Sequence, residues 1–523
     1  MLTDKANAID PRTVPTVANN EDVPIGDVKT AEHTSSGLQA ARMHWRTFLW
    51  CMFMSIGVII GGYDASTNGV LAVPAFRRNF GALNDDQYVL SAAWQNGFYS
   101  ATQITRMIGS ISVGYMSDRY GNKISFAVCS CISVAGIFIQ FFSPPGHDDM
   151  FLAGKAVNGF AIGMYMSGAS NYIVEVSPVA LRGVTTSALN FWIVIGQFLG
   201  MVMIQIAGIR TDAYSYRIVF GVEWVFPLIM LAGLPFLPES PLWLVRRERF
   251  DDAIKALKRL SGPAADTGAR MRRIQETIVL EQNNAMKATY AELFRGVDRK
   301  RTIIACMAFV GQQLVGVTFV LGFSTYFFEL AGFSPSNAFA LGVGIMGLAI
   351  IGNLFAAWTV NGLGRRFLYV IGLFLCALCN LLIGVLSLPD QSGTNWAMAI
   401  FTMIYMVIYQ AGIGPVAFTI CSEISSARLR SKTVGFSICF LAFSSLVANV
   451  INPYLVNPDE LNLGGKVGFI FGGLGVLGTV WAWFFVPETG GRSVEELDVL
   501  FEMGVPARMF SQTNAKLQIG PSN

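Results

Sequence analysis

Charge is what this chain has least of. Asp, Glu, Lys and Arg make up 14% of its 523 residues, where a soluble domain carries about 25%. So few ionised groups cannot cover a water-facing surface, and most of the chain is expected in lipid or packed against segments that are. The net charge, +3 at pH 7, leaves no basic footprint for nucleic acid. Cysteine is sparse too, with eight thiols that nearly all fall inside apolar stretches. Cys376 and Cys379 form a C-x-x-C, but it sits mid-span without His or a Gly-rich turn nearby. These thiols read as small packing residues, with no metal or redox chemistry implied. No N-x-S/T sequon occurs, no cleavable signal is evident, and P-loop spacing is missing, so ATP does not drive this chain. A nucleophile–base–orienter set is also missing. The chain is not expected to be an enzyme, and no cofactor is called for.

What the chain does have is hydrophobic residues, 53% of the total, arranged in runs. About 20 mostly apolar residues make a spanning helix, and twelve candidates can be counted. They lie near 47–70, 90–114, 124–142, 150–173, 184–209, 218–237, 302–329, 337–360, 367–388, 396–421, 434–456 and 466–486. The second and fourth are the weakest, being rich in Gly, Ser and Asn, as suits helices that pack closely or line a cavity. Three polar signatures occur twice, the copies about 245 residues apart. Asp118-Arg119-Tyr120-Gly121 returns as Asn361-Gly362-Leu363-Gly364 followed by Arg365-Arg366. Glu175 to Arg182 returns as Glu423 to Arg430, and Pro238-Glu239-Ser240-Pro241 as Pro487-Glu488-Thr489-Gly490. One order at one spacing implies two related halves, the internal symmetry of a secondary transporter.

The expected organisation is a disordered cytosolic tail (1–44), a first six-helix bundle (45–238), a cytosolic helical linker (239–300), a second bundle (301–487) and a C-terminal cytosolic tail (488–523). Arg119, Lys123, Arg182, Arg246, Arg365, Arg366 and Arg430 share one side, while Arg77, Arg78, Arg210, Arg217 and Lys466 lie on the other. The positive-inside rule then places both termini in the cytosol. At those cytosolic helix ends Asp118, Arg119, Glu175 and Arg182, with Arg365, Arg366, Glu423 and Arg430 in the second half, can bridge helices and latch one conformation. They can instead be plain topology-setting charges, but the acidic members favour the latch, since positive-inside needs none of them.

The pattern G-x-x-x-D-R-x-G-x-K/R after the second span, E-x-x-P-x-x-x-R-G after the fourth and P-E-S-P after the sixth resembles the sugar porter family of the major facilitator superfamily. Gln312-Gln313-Leu314 and Pro487-Glu488-Thr489-Gly490 agree, so the likeness covers about 45–500. Ser91 to Gln95, Gly322 to Phe327 and Phe501 to Arg508 resemble its fungal α-glucoside (maltose-type) branch. The resemblance implies an all-α membrane protein of twelve transmembrane helices in two pseudo-symmetric bundles, with a central site and alternating access. It also implies a saccharide and a proton as partners at the plasma membrane, carried by a monomer in the bilayer.

A saccharide site needs amide and hydroxyl groups and an aromatic face. The resemblance places Asn190 and Gln197 where relatives carry sugar-binding glutamines, and Gln312 and Gln313 match a Gln-Gln pair. Gln410 and Phe418 fall where hexose carriers have a polar residue and a tryptophan, and Asn449 near a sugar-contacting asparagine. Each amide can instead be a helix-to-helix hydrogen bond. Departures stand at Thr318 and Ala349, where hexose carriers have asparagine, and at Phe418. They point away from a plain glucose site and toward a glycoside or a less sugar-like cargo.

Asp64 lies inside the first span, where a carboxylate can load and release a proton. Proton-coupled members of the family pair such an Asp with a span-four arginine, a position held here by Lys155. Arg106 adds a second cation in span two, which would leave this half's interior net positive. It either pairs with Asp64 or snorkels, or it recognises an anionic group on the cargo. Three functions follow: a sugar/proton symporter, a carrier or exporter of a non-sugar polar or anionic metabolite, and a non-transporting sugar sensor.

Overall fold

The computed structural model describes residues 44–84, 87–177, 179–208, 210, 212–261, 268, 270–272, 274–275, 290–330, 332–389, 392–426, 429–457, 460–490, 492 and 494–510. Of the tail expected over 1–44, only His44 falls within them.

Among the described residues twelve long helical segments carry the fold, and nine are long and apolar enough to span a membrane. In the first half these are α1 (Trp45–Thr67), α2 (Ala92–Tyr120), α3 (Asn122–Phe141), α4 (Asp148–Val176), α5 (Val179–Ala207) and α6 (Tyr214–Gly233). The second half has α7a (Gly296–Leu314) and α7b (Val317–Leu330), α8 (Pro335–Leu363), α9 (Arg365–Leu386), α10, α11 (Arg430–Val456) and α12 (Val467–Phe485). α10 runs from Ser392–Ile408 through a π-helical turn, Tyr409–Ile413, into Gly414–Ile424. The three outside the nine are α2 and α4, the spans weakest in hydropathy, and α7. α7 breaks where Val315 ends its first piece and Gly316 takes φ 79°, a backbone turn that hydrophobicity alone does not reveal.

Within the first half α2 and α3 pack on α4, and α1 packs on α5. In the second, α9 packs on α12 and α7a on α11. The halves meet where α2 lies along α11 and α5 along α8. Small residues set the closest approach: a Cβ on Gly109 would stand 2.0 Å from the Phe160 carbonyl oxygen, and one on Gly163 2.0 Å from that of Arg106. α2 and α4 therefore cross with backbones touching, which fixes the height of Arg106.

The charged loops gather at one end, the basic end. At the other, a short helix Pro74–Phe80 and a hairpin, β1 (Ala82–Asn84) and β2 (Gln87–Val89), follow α1. There the halves are stitched together. Arg77 Nη2 meets Glu329 Oε2 at 2.6 Å, Gln95 Nε2 donates to Asn457 Oδ1 at 3.0 Å, and Asn457 Nδ2 donates to the Leu90 carbonyl at 3.3 Å.

After α6 come the helices Pro241–Arg246 and Phe250–Ser261; most of the rest of 239–300 lies outside the described residues. Past α12, Val494–Glu502 docks beneath α7a: Asp498 pairs with the buried Arg301, and the Arg301 guanidinium lies 4.6 Å from the Phe501 ring centre.

Candidate functional site

α1 brings Asp64 into the first half's interior, and α4 brings Lys155 opposite it. Lys155 Nζ stands 3.0 Å from Asp64 Oδ1 and donates to Thr67 Oγ1 at 2.7 Å. Thr67, one turn on from Asp64, donates in turn to the Asp64 carbonyl at 2.7 Å. Arg106 Nη2 on α2 lies 3.5 Å from the other carboxylate oxygen, Oδ2. Asp64 thus has both cations beside it, Arg106 more loosely than Lys155.

A fourth charge was not singled out from the sequence. Glu223 on α6 is fully buried, and its Oε1 accepts from Asn158 Nδ2 at 2.8 Å. Asn158 follows Lys155 by three residues on the same face of α4, and its Oδ1 accepts from Ser133 Oγ of α3 at 2.9 Å. With Glu223, two carboxyl groups stand among the two cations, where the sequence pointed to one. A buried cation without a counter-charge costs several kcal/mol, and both cations lie beside Asp64. The signal was available in the sequence, since Val222-Glu223-Trp224 puts a lone carboxylate inside a span.

Above the cluster, toward the stitched end, sits an aromatic seal. Phe151 packs on Phe98, Phe220 and Phe76 with ring centres 5.0, 5.3 and 5.4 Å apart. Lys155 Nζ lies 5.5 Å from the Phe220 ring centre. A small cavity is lined by Thr67, Tyr99, Lys155 and these rings.

The second half supplies most of the amides. Gln312 and Gln313 end α7a beside its break. Gln313 Nε2 donates to Ser445 Oγ at 2.9 Å, Thr318 donates to Gln313 Oε1, and Asn449 Nδ2 donates to the Ser445 carbonyl at 2.9 Å. Gln312 Nε2 reaches the Gly414 carbonyl at 3.3 Å, which ties α7a to the π turn of α10. Gln410 sits in that turn, buried, and neither its Oε1 nor the Nδ2 of Asn353 on α8 has a hydrogen-bond partner among the described residues. Ala349, one turn earlier on α8, is fully buried. Phe418 is exposed and meets Phe309 edge-on at 4.9 Å. Asn190 and Gln197 come from α5 in the first half; Asn190 Nδ2 has no partner among the described residues, and the Gln197 backbone accepts from Ser66 Oγ at 2.8 Å. Gln313, Thr318 and Asn449 thus form one network through Ser445, Gln312 bonds separately to α10, and Gln410, Asn353 and Asn190 each keep a polar atom unspent among the described residues.

At the basic end each half builds the same device. Gly121 (φ 90°) and Gly364 (φ 85°) turn the chain into α3 and α9. Glu239 then accepts from the backbone N–H of Asn122 and Lys123 at 2.9 and 3.2 Å, and Glu488 from those of Arg365 and Arg366 at 2.9 and 3.1 Å. A carboxylate at a helix N-terminus satisfies donors that have no partner within the helix. Ser240 donates to Glu175 at 2.5 Å and Thr489 to Glu423 at 2.6 Å, while Arg365 Nη2 stands 3.2 Å from Glu423 Oε1. Glu239 and Glu488, quoted from the sequence only as motif letters, are the centres of this device. Asp118 joins through its carbonyl, which accepts from Trp243 and Arg247. Arg119 turns outward to Tyr115, and Arg366 donates to the Trp483 carbonyl. The side chains of Arg182 and Arg430 lie outside the described residues.

Residues 50–501 match the family described as "Sugar (and other) transporter". The chain belongs to that family. This transporter is 32% identical to a maltose permease of Saccharomyces cerevisiae, over 95% of its own length and 83% of the permease. It is 31% identical to a general alpha-glucoside permease of the same yeast, over 93% and 80%. It is 33% identical to the MFS transporter fmqE of Aspergillus fumigatus, over 94% of each chain. Among solved structures, the xylose transporter XylE of E. coli, in a partially occluded inward-open conformation, superposes with a TM-score of 0.70. That match covers 86% of this chain and 99% of XylE at 21% identity. XylE described as a proton:xylose symporter, bound to a bromo-deoxyglucose, gives the same score over 88% and 100% at 22% identity. The fold is thus the all-α major facilitator fold of two six-helix bundles, and the protein is a multi-pass membrane transporter, not an enzyme.

Proposed function

We propose that this transporter is a proton-coupled symporter of an α-glucoside or related saccharide, working as a monomer at the plasma membrane with both termini cytosolic. The observation that carries this reading is Asp64, held by Lys155 and Arg106 in one bundle, with an amide network in the other. A proton on Asp64 cancels its attraction for both cations, so the first half repacks with the loading state. The amides of α7, α10 and α11, with Asn190 and Gln197, offer the donors and acceptors that hydroxyls need. Alternating access then rocks bundle 45–238 against bundle 301–487 about the central site, the linker 239–300 joining them and the basic-end devices keeping each bundle rigid. The maltose and alpha-glucoside permeases among the relatives support the cargo class, and the basic end lies in the cytosol by the positive-inside rule.

Labelled maltose given to a yeast lacking its own α-glucoside carriers tests this. Saturable uptake that collapses with a protonophore is expected. No maltose entry by a chain that reaches the surface contradicts it, and moves the assignment to a polar or anionic metabolite. Thr318, Ala349 and Phe418 and the likeness to fmqE, whose name specifies no sugar, favour that second reading.

A further inference from the structure

Arg106 and the amide network lie at one depth. α2 and α11 run side by side in opposite directions, pinned near one end by the 3.0 Å bond from Gln95 to Asn457. At 1.5 Å per residue, Arg106 stands about 16 Å along α2 from that pin, and Ser445 to Asn449 about 12–18 Å along α11. Gln95, Tyr99 and Arg106 are spaced by four and seven, so they share a face of α2, and at Gln95 that face meets the second half.

Arg106 is also under-used. Asp64 already has Lys155 at 3.0 Å; Arg106 reaches it at 3.5 Å, and the buried Nε of Arg106 has no hydrogen-bond partner among the described residues. A charge-assisted hydrogen bond runs to about 2.7–2.9 Å, so this pairing is loose. Guanidinium offers five N–H groups in a planar fork that matches both oxygens of a carboxylate. A neutral saccharide needs no such cation, because amides and hydroxyls satisfy it.

We propose that Arg106 sets cargo specificity by taking a carboxylate carried on a glycoside, while the amides of the second half take its hydroxyls. This rests on the saccharide reading above. When Asp64 takes up a proton it releases Arg106, and the cargo carboxylate replaces it. When Asp64 loses the proton it draws Arg106 back and displaces the anion. One proton and one anionic cargo then cross together with their charges cancelling.

The test compares maltose with maltobionate, the same α-glucoside carrying a carboxylate at its oxidised end, by calorimetric titration of the purified full-length chain. Maltobionate is expected to bind at least about tenfold tighter, which corresponds to about 1.4 kcal/mol. Arg106→Gln abolishes that preference and Arg106→Lys keeps part of it, as a point charge without the fork. The ratio of the two affinities cancels any general effect of the substitution on packing. Should the variants not fold, maltobionamide on the wild-type chain removes the charge from the ligand, and a tenfold loss against maltobionate is expected. Maltose bound as tightly as maltobionate, or a preference unchanged in Arg106→Gln, overturns the role of Arg106 and leaves the saccharide reading standing. Binding of none of the three ligands overturns both.

Discussion

Arg77, just beyond α1, and Glu329, at the end of α7b, join the two bundles through a 2.6 Å ion pair that is largely shielded from solvent. With the bonds among Gln95, Leu90 and Asn457 it holds the end opposite the basic loops shut. Removing one member of a shielded pair costs about 3–5 kcal/mol, much of it the stranded charge. Glu329→Gln is therefore expected to shift the transporter toward opening at this end. A cysteine introduced at Asn96, in a chain stripped of its native cysteines, should then label faster with an impermeant maleimide. Exchanging the two charges, Arg77→Glu with Glu329→Arg, should restore slow labelling. Equal labelling in all three rules out the pair as a clasp.

Asp64→Asn removes the proton-loading carboxylate yet keeps the volume. Uptake driven by a proton gradient is expected to vanish, while exchange of internal for external sugar persists. Loss of both at normal surface expression assigns Asp64 a structural role.

Glu223→Gln leaves Lys155 and Arg106 facing a single carboxylate. Destabilisation of about 1–3 kcal/mol is expected, read as a fall in the detergent-solubilised melting temperature. Adding Arg106→Gln should recover part of that fall, since it restores charge balance. Strictly additive losses would mean that the two groups do not share one electrostatic cluster.

Gly121 and Gly364 hold φ near 90° with a carboxylate against the position of a Cβ: Glu239 Oε2 at 3.0 Å and Glu488 Oε2 at 2.6 Å. Gly121→Ala and Gly364→Ala are each expected to cost about 1–2 kcal/mol of thermal stability. Gly435→Ala, in open space on α11, should be neutral or stabilising. Similar melting temperatures for all three would show that the two turns carry no strain.

The sequence made the bundles legible because lipid imposes long apolar runs, and because duplication left its polar punctuation in place. All twelve segments fall where the runs do, and α2 and α4, weak in the sequence for their Gly, Ser and Asn, are with α7 the ones outside the apolar nine. What hydropathy cannot see is backbone detail. The break at Gly316 and the π turn that carries Gln410 both arise from local hydrogen bonding. The pairing of Asp64 with Lys155 was readable through the family resemblance, which sets a span-four cation opposite such an Asp. Glu223 was visible as a lone carboxylate inside α6, but its direct hydrogen-bond partner, Asn158, is neutral, so no charge pair in the sequence placed it beside Asp64. The centring of the basic-end devices on Glu239 and Glu488 was hidden because they bond backbone N–H groups, which no side-chain pattern records.

The most direct measurement is the pH of a lightly buffered suspension of cells expressing the transporter, recorded as maltose is added. The account predicts a transient alkalinisation as protons enter with the sugar, absent in cells carrying Asp64→Asn. Sustained maltose entry with no proton movement would contradict it.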